Sequence, residues 1–405
     1  MGRLKVNAHL VTPENIIELV KICPFKAIED INGKIEVNAG CKMCKICVNR
    51  GPAGVMEFVE DEIVAIDKSL WKGIAVYVDH VEGEIHPVTL ELLGKAKELA
   101  SKVGYPVYAL FLGEGITDKA EELLHYGADK VFVYDREALK DFRIEPYAAA
   151  FSDFIEKVKP SSILVGATTV GRSLAPRIAA RFRTGLTADC TILDIKENSD
   201  LVQIRPAFGG NIMAQIKTPN TRPQLATVRY KVMNALERSE TAVGEVILCD
   251  IEESKLASRI TVLSVKKKMR EESISDAETI IAVGRGVKTE KDMALVNELA
   301  DLLDAQIAGT RPLIESGWLD AKKQIGLSGR TVKPRMIITL GISGAVQFAA
   351  GMNGSEYIFA VNNDEKASIF NIAHYGIVGD LYEVLPELIA KIKAQKGPLQ
   401  WITRG

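Results

Sequence analysis

Four of the six cysteines in this 405-residue chain fall within its first fifty positions, three in the run Cys41-x2-Cys44-x2-Cys47 and the fourth as Cys23-Pro24. Thiols this closely spaced, in a chain that has only Cys190 and Cys249 besides, point to metal ligation and not to a disulfide framework. The triple run sets three thiolates on one tight loop, where they can hold three corners of a cube, and Cys23 is the candidate for the fourth. Cys190 and Cys249 read as small core residues. Four thiolates also satisfy tetrahedral zinc, but zinc sites usually pair two C-x2-C knuckles and do not use this triple.

The spacing can be tested against the run C-x2-C-x2-C-x3-C-P of two-cluster ferredoxins, whose fourth Cys ligates the other cluster. Counting back from Cys23-Pro24, the three earlier positions are Pro13, Ile16 and Leu19, none of which binds iron. Counting forward from Cys47, the fourth position is Gly51, followed by the expected Pro52. One cluster and its orphaned ligand are gone together. What remains resembles a half-emptied bacterial ferredoxin domain, with one [4Fe-4S] cluster on Cys23, Cys41, Cys44 and Cys47. Lys42 and Lys45 flank these thiolates and read chiefly as solvated surface lysines.

A single core rarely grows past about 250 to 300 residues, so this length implies two or three domains. Lys and Arg number 51 against 53 Asp and Glu, a net charge of −2, which leaves no excess of cations for extensive nucleic-acid binding. The N-terminus lacks a charged start followed by an unbroken apolar core, and the most apolar run, Met336 to Met352, is broken by Gly and Ser. The expectation is a soluble, cytoplasmic protein without a membrane partner.

After a charged connection at Val59 to Lys68, the segment Gly73 to Asp79 has the continuous apolar character of a buried parallel strand. Helical pattern over Val88 to Lys102, Asp118 to His125 and Pro146 to Lys157 then alternates with strand pattern over Pro106 to Leu112, Lys130 to Tyr134 and Ser162 to Gly166. That alternation predicts a doubly wound sheet. The glycine-containing stretch Val165 to Pro176 runs from strand to helix; it is weak as a phosphate site and reads better as a loop that turns the chain. Short β-like pieces fill Thr187 to Arg229, and Lys266-Lys267-Lys268 opens a polar connection ending near Asp276.

The last domain repeats the alternation, with strands at Thr279 to Val283, Gln306 to Ala308 and Arg335 to Leu340 and a helix at Glu290 to Leu303. Each strand ends in a marked turn: Gly284-Arg285-Gly286, Gly309-Thr310-Arg311 and Gly341-Ile342-Ser343-Gly344. Ligands of open parallel sheets bind outside the carboxyl ends of the strands, so three such turns point to a dinucleotide, with Arg285 and Arg311 facing a phosphate and an anionic ring. No G-x-G-x-x-G fingerprint opens the domain and no G-x-x-x-x-G-K-[ST] loop occurs, which disfavours a standard NAD dehydrogenase and a P-loop NTPase.

The segments VGATTVGRSLAPRIAARFRTGLTADCT, GRGV, IGLSG, TLGISGAVQF, FAVNND and HYGIVGDLYEVLPEL resemble the α subunit of an electron transfer flavoprotein, in order, over roughly residues 73 to 395. With its N-terminal extension the chain is similar to the ferredoxin-carrying α subunits of electron-bifurcating complexes. The resemblance implies an α/β protein of three parts: a ferredoxin-like domain over 1–66, an adenine nucleotide alpha hydrolase-like doubly wound domain over 67–268, and a doubly wound FAD-binding domain of flavodoxin/DHS-like type over 269–405. It makes Arg285 a pyrophosphate ligand and sets Thr310 and Arg311 at the flavin, Arg311 against the isoalloxazine, where a fixed cation favours the reduced, negatively charged ring. Ser328, within Gly326-Leu327-Ser328-Gly329, matches a hydroxyl that donates to flavin N5, with Leu327 departing from the commoner Gln. Ser343, Gly344 and Gln347 match the loop that wraps the flavin, and Asn362 and Asp380 the adenosine end. Phe348 stands where many members have a His, which removes one hydrogen bond to the ring.

The resemblance further implies an electron-transfer subunit that binds FAD and one [4Fe-4S] cluster. It works as a heterodimer with a β subunit, whose own FAD exchanges hydride with NAD, and its C-terminal domain swings between that subunit and a partner dehydrogenase. The one-cluster form is most similar to subunits serving a flavin-dependent lactate dehydrogenase that reduces NAD at the expense of reduced ferredoxin; acyl-CoA or enoyl-CoA dehydrogenases are the alternative. A zinc-ribbon nucleotide-binding adaptor and a self-contained oxidoreductase are the competing classes.

Overall fold

The computed structural model describes residues 2–38, 40–60, 66–207, 212–266 and 273–394. By its internal contacts the chain divides into two compact units, Met1–Ile66 and Asp67–Gly405. The connection expected to start the last domain lies largely outside the described residues, from Lys267 to Glu272.

In the first unit, strand Gly2–Val6 pairs antiparallel with Met56–Glu60, and Ile28–Ile31 with Lys34–Val37, while helices Pro13–Ile22 and Ile46–Asn49 stand between them in the chain. Thr12 starts the first helix by accepting from the Asn15 N–H at 3.3 Å, and Pro13 occupies its first turn. Ile16 and Leu19, at two of the emptied ligand positions, pack with Ile28, Ile35, Val55 and Met56 in a small apolar core. A Cβ at Gly51, the place of the orphaned ligand, would lie 2.4 Å from the Cys47 carbonyl oxygen and 2.8 Å from Leu19 Cδ2. The fold has therefore closed over that position, and no cysteine fits there.

The second unit holds two parallel sheets. The larger orders its strands Leu186–Cys190, Gln224–Val228, Ser162–Gly166, Ile74–Tyr77, Val107–Gly113, Lys130–Asp135 and Glu245–Leu248. Successive residues of Ile74–Tyr77 are all buried and serve opposite faces. Ile74 and Val76 pack with Leu92, Leu93 and Leu99 of helix Pro87–Val103, whereas Ala75 and Tyr77 pack with Phe151 and Phe154 of helix Ile144–Val158. Fully burying each such Leu or Phe contributes about 1.5–3 kcal/mol. An antiparallel sheet of Ile192–Ile195, Leu201–Ala207 and Ile212–Ile216 is inserted before strand Gln224–Val228.

The crevice between Ile74–Tyr77 and Ser162–Gly166, where strand order reverses, is occupied by the chain's own side chains. There the Thr168 hydroxyl donates to the buried Asp79 carboxylate and accepts from the Gly171 N–H at 3.0 Å, which starts helix Thr169–Arg181. The helix expected over Asp118 to His125 is instead two short 3-10 segments, Thr117–Lys119 and Glu121–Tyr126. The Asp135 carboxylate takes the N–H groups of Gly115, Ile116 and Thr117, and Gly127 ends the segment in the left-handed region at φ 92°. Between those two anchors there is no room for a longer helix.

The smaller sheet orders Gln306–Gly309, Thr279–Val283, Met336–Leu340, Tyr357–Asn362 and Tyr375–Val378, all parallel. Numbered along the chain this is 2-1-3-4-5, the flavodoxin-like order. Helices Met293–Leu303 and Leu381–Ala394 cover one face through Val296, Leu299, Leu385 and Ile389. Among the described residues no helix is long and apolar enough to cross a membrane.

Candidate functional site

In the 2-1-3-4-5 order the chain leaves Thr279–Val283 in one direction and returns on its other side at Met336–Leu340, so a crevice opens at the carboxyl ends of these two strands. A cavity of about 700 Å³ lies there, within the range of about 300–1,000 Å³ for small-molecule sites. Its floor is backbone. The Gly284 N–H donates to the Leu340 carbonyl at 2.9 Å and the Gly286 N–H to that of Gly341 at 3.0 Å, which locks the two strand-end turns together without intervening side chains.

Ten of the eleven residues expected at a dinucleotide line this cavity: Arg285, Thr310, Arg311, Gly326, Leu327, Ser328, Ser343, Gln347, Asn362 and Asp380. Gly344 does not. At φ 81° it packs against Ile369, whose backbone nitrogen would lie 2.2 Å from any Cβ there, and so it shapes the loop from behind. Thr310 starts the short helix Arg311–Glu315, and its N–H is held by the Val283 carbonyl at 3.0 Å. Arg311 stands exposed, its Nε donating to Glu315 Oε1 at 2.8 Å. Such a solvated pair contributes little and leaves the rest of the fork available.

The turn that presents Ser328 is pinned by the Leu327 N–H on the Gln347 carbonyl at 2.9 Å and the Gly329 N–H on Gly326 at 3.0 Å. Buried Gln324 donates its amide to Ser328 Oγ at 2.7 Å, which leaves that hydroxyl's single proton for another acceptor. Asn362 donates to the Ile342 carbonyl at 2.8 Å and accepts from the Asp364 N–H at 2.9 Å, fixing one wall. Asp380 accepts from the Tyr382 N–H at 2.9 Å and so starts helix Leu381–Ala394 at the cavity rim. Phe348 is buried and lines the cavity.

Gln324, Lys288 and Tyr382 also line the cavity and were not singled out from sequence. The Tyr382 hydroxyl accepts from the Lys288 N–H at 2.9 Å and donates to Asp292 Oδ2 at 2.7 Å, a bond that holds the Asp292 carboxyl below its ordinary pKa. Position was the available signal: Lys288 lies two residues beyond a Gly-Arg-Gly turn.

The cysteines form a second site. Cys23 follows helix Pro13–Ile22 as its C-cap and accepts the Ala27 N–H at 3.3 Å; Cys41 accepts the Met43 N–H at 3.5 Å. Met43 and Lys45 adopt left-handed backbone, φ 52° and 59°, so the loop winds back on itself before Cys47, which is buried on helix Ile46–Asn49. All four cysteines line one cavity of about 20 Å³. Burial pushes the Cys47 thiol up, and the proximity of Cys41, Cys44 and Cys23 pushes it further. Among the described residues, no group of three or more His, Cys, Asp and Glu side chains is placed to hold a metal ion. Cys190, by contrast, is a core residue whose thiol burial pushes up to about 12.

Residues 74–254 match the profile of the electron transfer flavoprotein domain, and 273–353 that of the electron transfer flavoprotein FAD-binding domain. The electron transfer flavoprotein subunit alpha of Thermoanaerobacterium thermosaccharolyticum is 43% identical over 80% of this chain and 99% of its own length. The chain belongs to the electron transfer flavoprotein α-subunit family. Its smaller sheet is thus the FAD-binding domain of an electron-transfer subunit, and the zinc-ribbon adaptor and self-contained oxidoreductase readings fall away. This flavoprotein subunit is also 65% identical, over 97% of its length and 94% of the relative's, to the lactate dehydrogenase (NAD(+),ferredoxin) subunit LctC of Acetobacterium woodii. The acryloyl-CoA reductase electron transfer subunit beta of Anaerotignum propionicum is 38% identical over 82% of the chain and 98% of its own length.

The cavity fits the family's cofactor in this α subunit. Arg285 and Arg311 line it with cations suited to phosphate and an electron-rich ring, and the Ser328 hydroxyl retains a proton to donate.

Proposed function

We propose that this α subunit carries FAD in the 700 Å³ cavity and one [4Fe-4S] cluster on Cys23, Cys41, Cys44 and Cys47, and that it passes electrons between a β-subunit flavin and a partner flavin dehydrogenase. The observation that carries the partner reading is the 65% identity to LctC over 97% of the chain, a span that takes in most of the cysteine-bearing unit as well as the FAD-binding domain. The partner is accordingly a lactate dehydrogenase, with NAD and ferredoxin as the other redox couples. A second reading, an acyl-CoA or enoyl-CoA dehydrogenase as partner, is favoured by the likeness to the acryloyl-CoA reductase subunit at 38% identity.

FAD, when bound, supplies a ring that takes up and releases electrons. The chain's own residues do the rest. Arg285 would hold the pyrophosphate, Thr310 and Arg311 would set a cation beside the ring, and the Ser328 hydroxyl, on a turn fixed by Gln324 and Gln347, would donate to it. Asn362 and Asp380 bound the adenosine end, and buried Phe348 excludes water without donating a hydrogen bond. At the second site, backbone N–H groups on Cys23 and Cys41 suit thiolate ligands, because hydrogen bonds to sulfur help set a cluster's potential.

Anoxic co-purification with the β subunit tests this. The expected product is a brown-yellow complex with about four iron and one FAD on this chain, pulling down a lactate dehydrogenase and oxidising lactate with NAD only when reduced ferredoxin is supplied. A complex that takes up iron but no flavin overturns the reading, and capture of an acyl-CoA dehydrogenase instead establishes the second one.

A further inference from the structure

Tyr382, in the first turn of helix Leu381–Ala394, is bound to a turn 94 residues upstream. Its hydroxyl accepts the Lys288 N–H at 2.9 Å and donates to Asp292 Oδ2 at 2.7 Å. The same Asp292 oxygen accepts the Thr289 N–H at 3.0 Å, so one carboxylate gathers both the turn and the phenol. The strands that lead into these two segments, Thr279–Val283 and Tyr375–Val378, have Met336–Leu340 and Tyr357–Asn362 between them in the sheet, and no ladder bond joins them. Arg285 and Lys288 from the turn, and Asp380 and Tyr382 from the helix start, all line the cavity. The phenol therefore ties together two parts of the cavity rim that the sheet holds apart. Its single proton goes to Asp292, so it acts on a ligand through the rim and not as a donor of its own.

We propose that Tyr382 is a positioning residue, a clasp between the phosphate side and the adenosine side of the cavity, and that this clasp gives the site its preference for a flavin dinucleotide over a flavin mononucleotide. The proposal rests on the reading that FAD occupies the cavity, with Arg285 at its pyrophosphate and Asp380 at its adenosine end. Arg285 lies three residues before Lys288, and Asp380 two before Tyr382, so the clasp fixes the spacing of two groups that a dinucleotide must engage at once. A rim set in advance spares the ligand the cost of ordering it and slows release. FMN, which ends at its phosphate, has no adenosine to gain from that spacing. The half-buried Tyr382 ring packs on the apolar core under the helix, so Tyr382→Phe keeps the packing and removes only the clasp.

The test uses the reconstituted αβ complex, with FAD release followed by flavin fluorescence on dilution and the flavin of the β subunit as internal reference. Tyr382→Phe should release FAD from this chain about tenfold faster, the scale of losing a hydrogen bond to an ionised acceptor. Asp292→Ala, which removes the acceptor from the other side, should match it, whereas Asp292→Asn, whose side-chain oxygen still accepts the phenol proton, should stay within about threefold of wild type. Offered FAD and FMN in equal amounts, the flavin-stripped Tyr382→Phe complex should take up a larger share of FMN than wild type does. Glu298→Gln serves as the control: it breaks the ion pair from Lys393 to Glu298 at 2.5 Å, which ties the far end of the same helix down without either residue lining the cavity, and it should leave release unchanged. Unchanged release in Tyr382→Phe, equal acceleration in Glu298→Gln, or an unchanged FMN share overturns the proposal. A wild-type complex that holds flavin in its β subunit alone would overturn the FAD reading instead.

Discussion

Gly286 and Gly341 meet backbone to backbone at the ends of neighbouring strands: a Cβ on either would stand 2.5 Å from the Cα of the other. Gly341 also sits at φ 61°, where an L side chain is strained. Gly341→Ala must therefore push the two turns apart, at a cost of about 1–3 kcal/mol. The expected result is a lower melting temperature together with loss of FAD during gel filtration. Gly317→Ala, at φ 79° with nothing within 4 Å, should show some destabilisation while keeping its flavin.

Among the described residues Arg311 pairs with Glu315, and it lines the cavity proposed for FAD. Arg311→Ala should weaken FAD binding by about 10- to 100-fold, corresponding to the roughly 1.5–3 kcal/mol of a charge-assisted contact. Fluorescence titration of the flavin-stripped complex measures it. Glu315→Gln should leave affinity within about twofold, because an exposed i,i+4 pair is worth so little. Unchanged affinity in Arg311→Ala would remove that residue from the site.

For the cysteine site, Cys23→Ala is expected to reduce iron as severely as Cys44→Ala, although Cys23 lies eighteen residues upstream of the triple run. Cys190→Ala, in the core of the larger sheet, should cost stability without lowering iron. Colorimetric iron and visible absorbance decide the matter, and full iron in Cys23→Ala would show that the fourth ligand has been misassigned.

Glu91 predicts a pH dependence. It is 7% exposed on helix Pro87–Val103, and burial raises its pKa from 4.5 to about 7 even though the Lys231 N–H donates to both oxygens, at 3.2 and 3.0 Å, and Lys231 and Lys333 lie near. Between those two pKa values the unfolded chain has given up the proton that the folded chain keeps. Stability is therefore highest below about pH 4.5 as far as this group is concerned, and it falls as pH rises to about 7, by about 3 kcal/mol. In Glu91→Gln this part of the slope should vanish, so that urea midpoints at pH 5.5 and 8 converge. A variant whose slope matches wild type would show that Glu91 is ionised throughout.

The two doubly wound sheets were legible in the sequence, because buried parallel strands are continuous apolar runs, and Arg285 and Arg311 stood out in the turns that follow two of them; Ser328, Gln347, Asn362 and Asp380 came from the family resemblance alone, and ten of the eleven expected residues line the cavity. What escaped has identifiable causes. Helix Leu381–Ala394 carries Pro386, which interrupts the usual helical signal, and edge strand Tyr375–Val378 is exposed at every position, so it shows no inward face. The segment after Gly115 has helical composition, yet the Asp135 carboxylate on another strand tightens it into 3-10 turns, a contact no local pattern carries. Gly344 has the right motif and faces the other way, since whether a glycine borders a ligand or its own chain depends on Ile369, twenty-five residues downstream. Lys288 and Tyr382 are joined only by the fold.

The hydrogen bond from Thr168 to Asp79 plugs the one spot on the larger sheet where a parallel architecture ordinarily receives small molecules. A small molecule entering there would first have to part these two side chains, whereas the strand tips of the smaller sheet open directly onto a cavity.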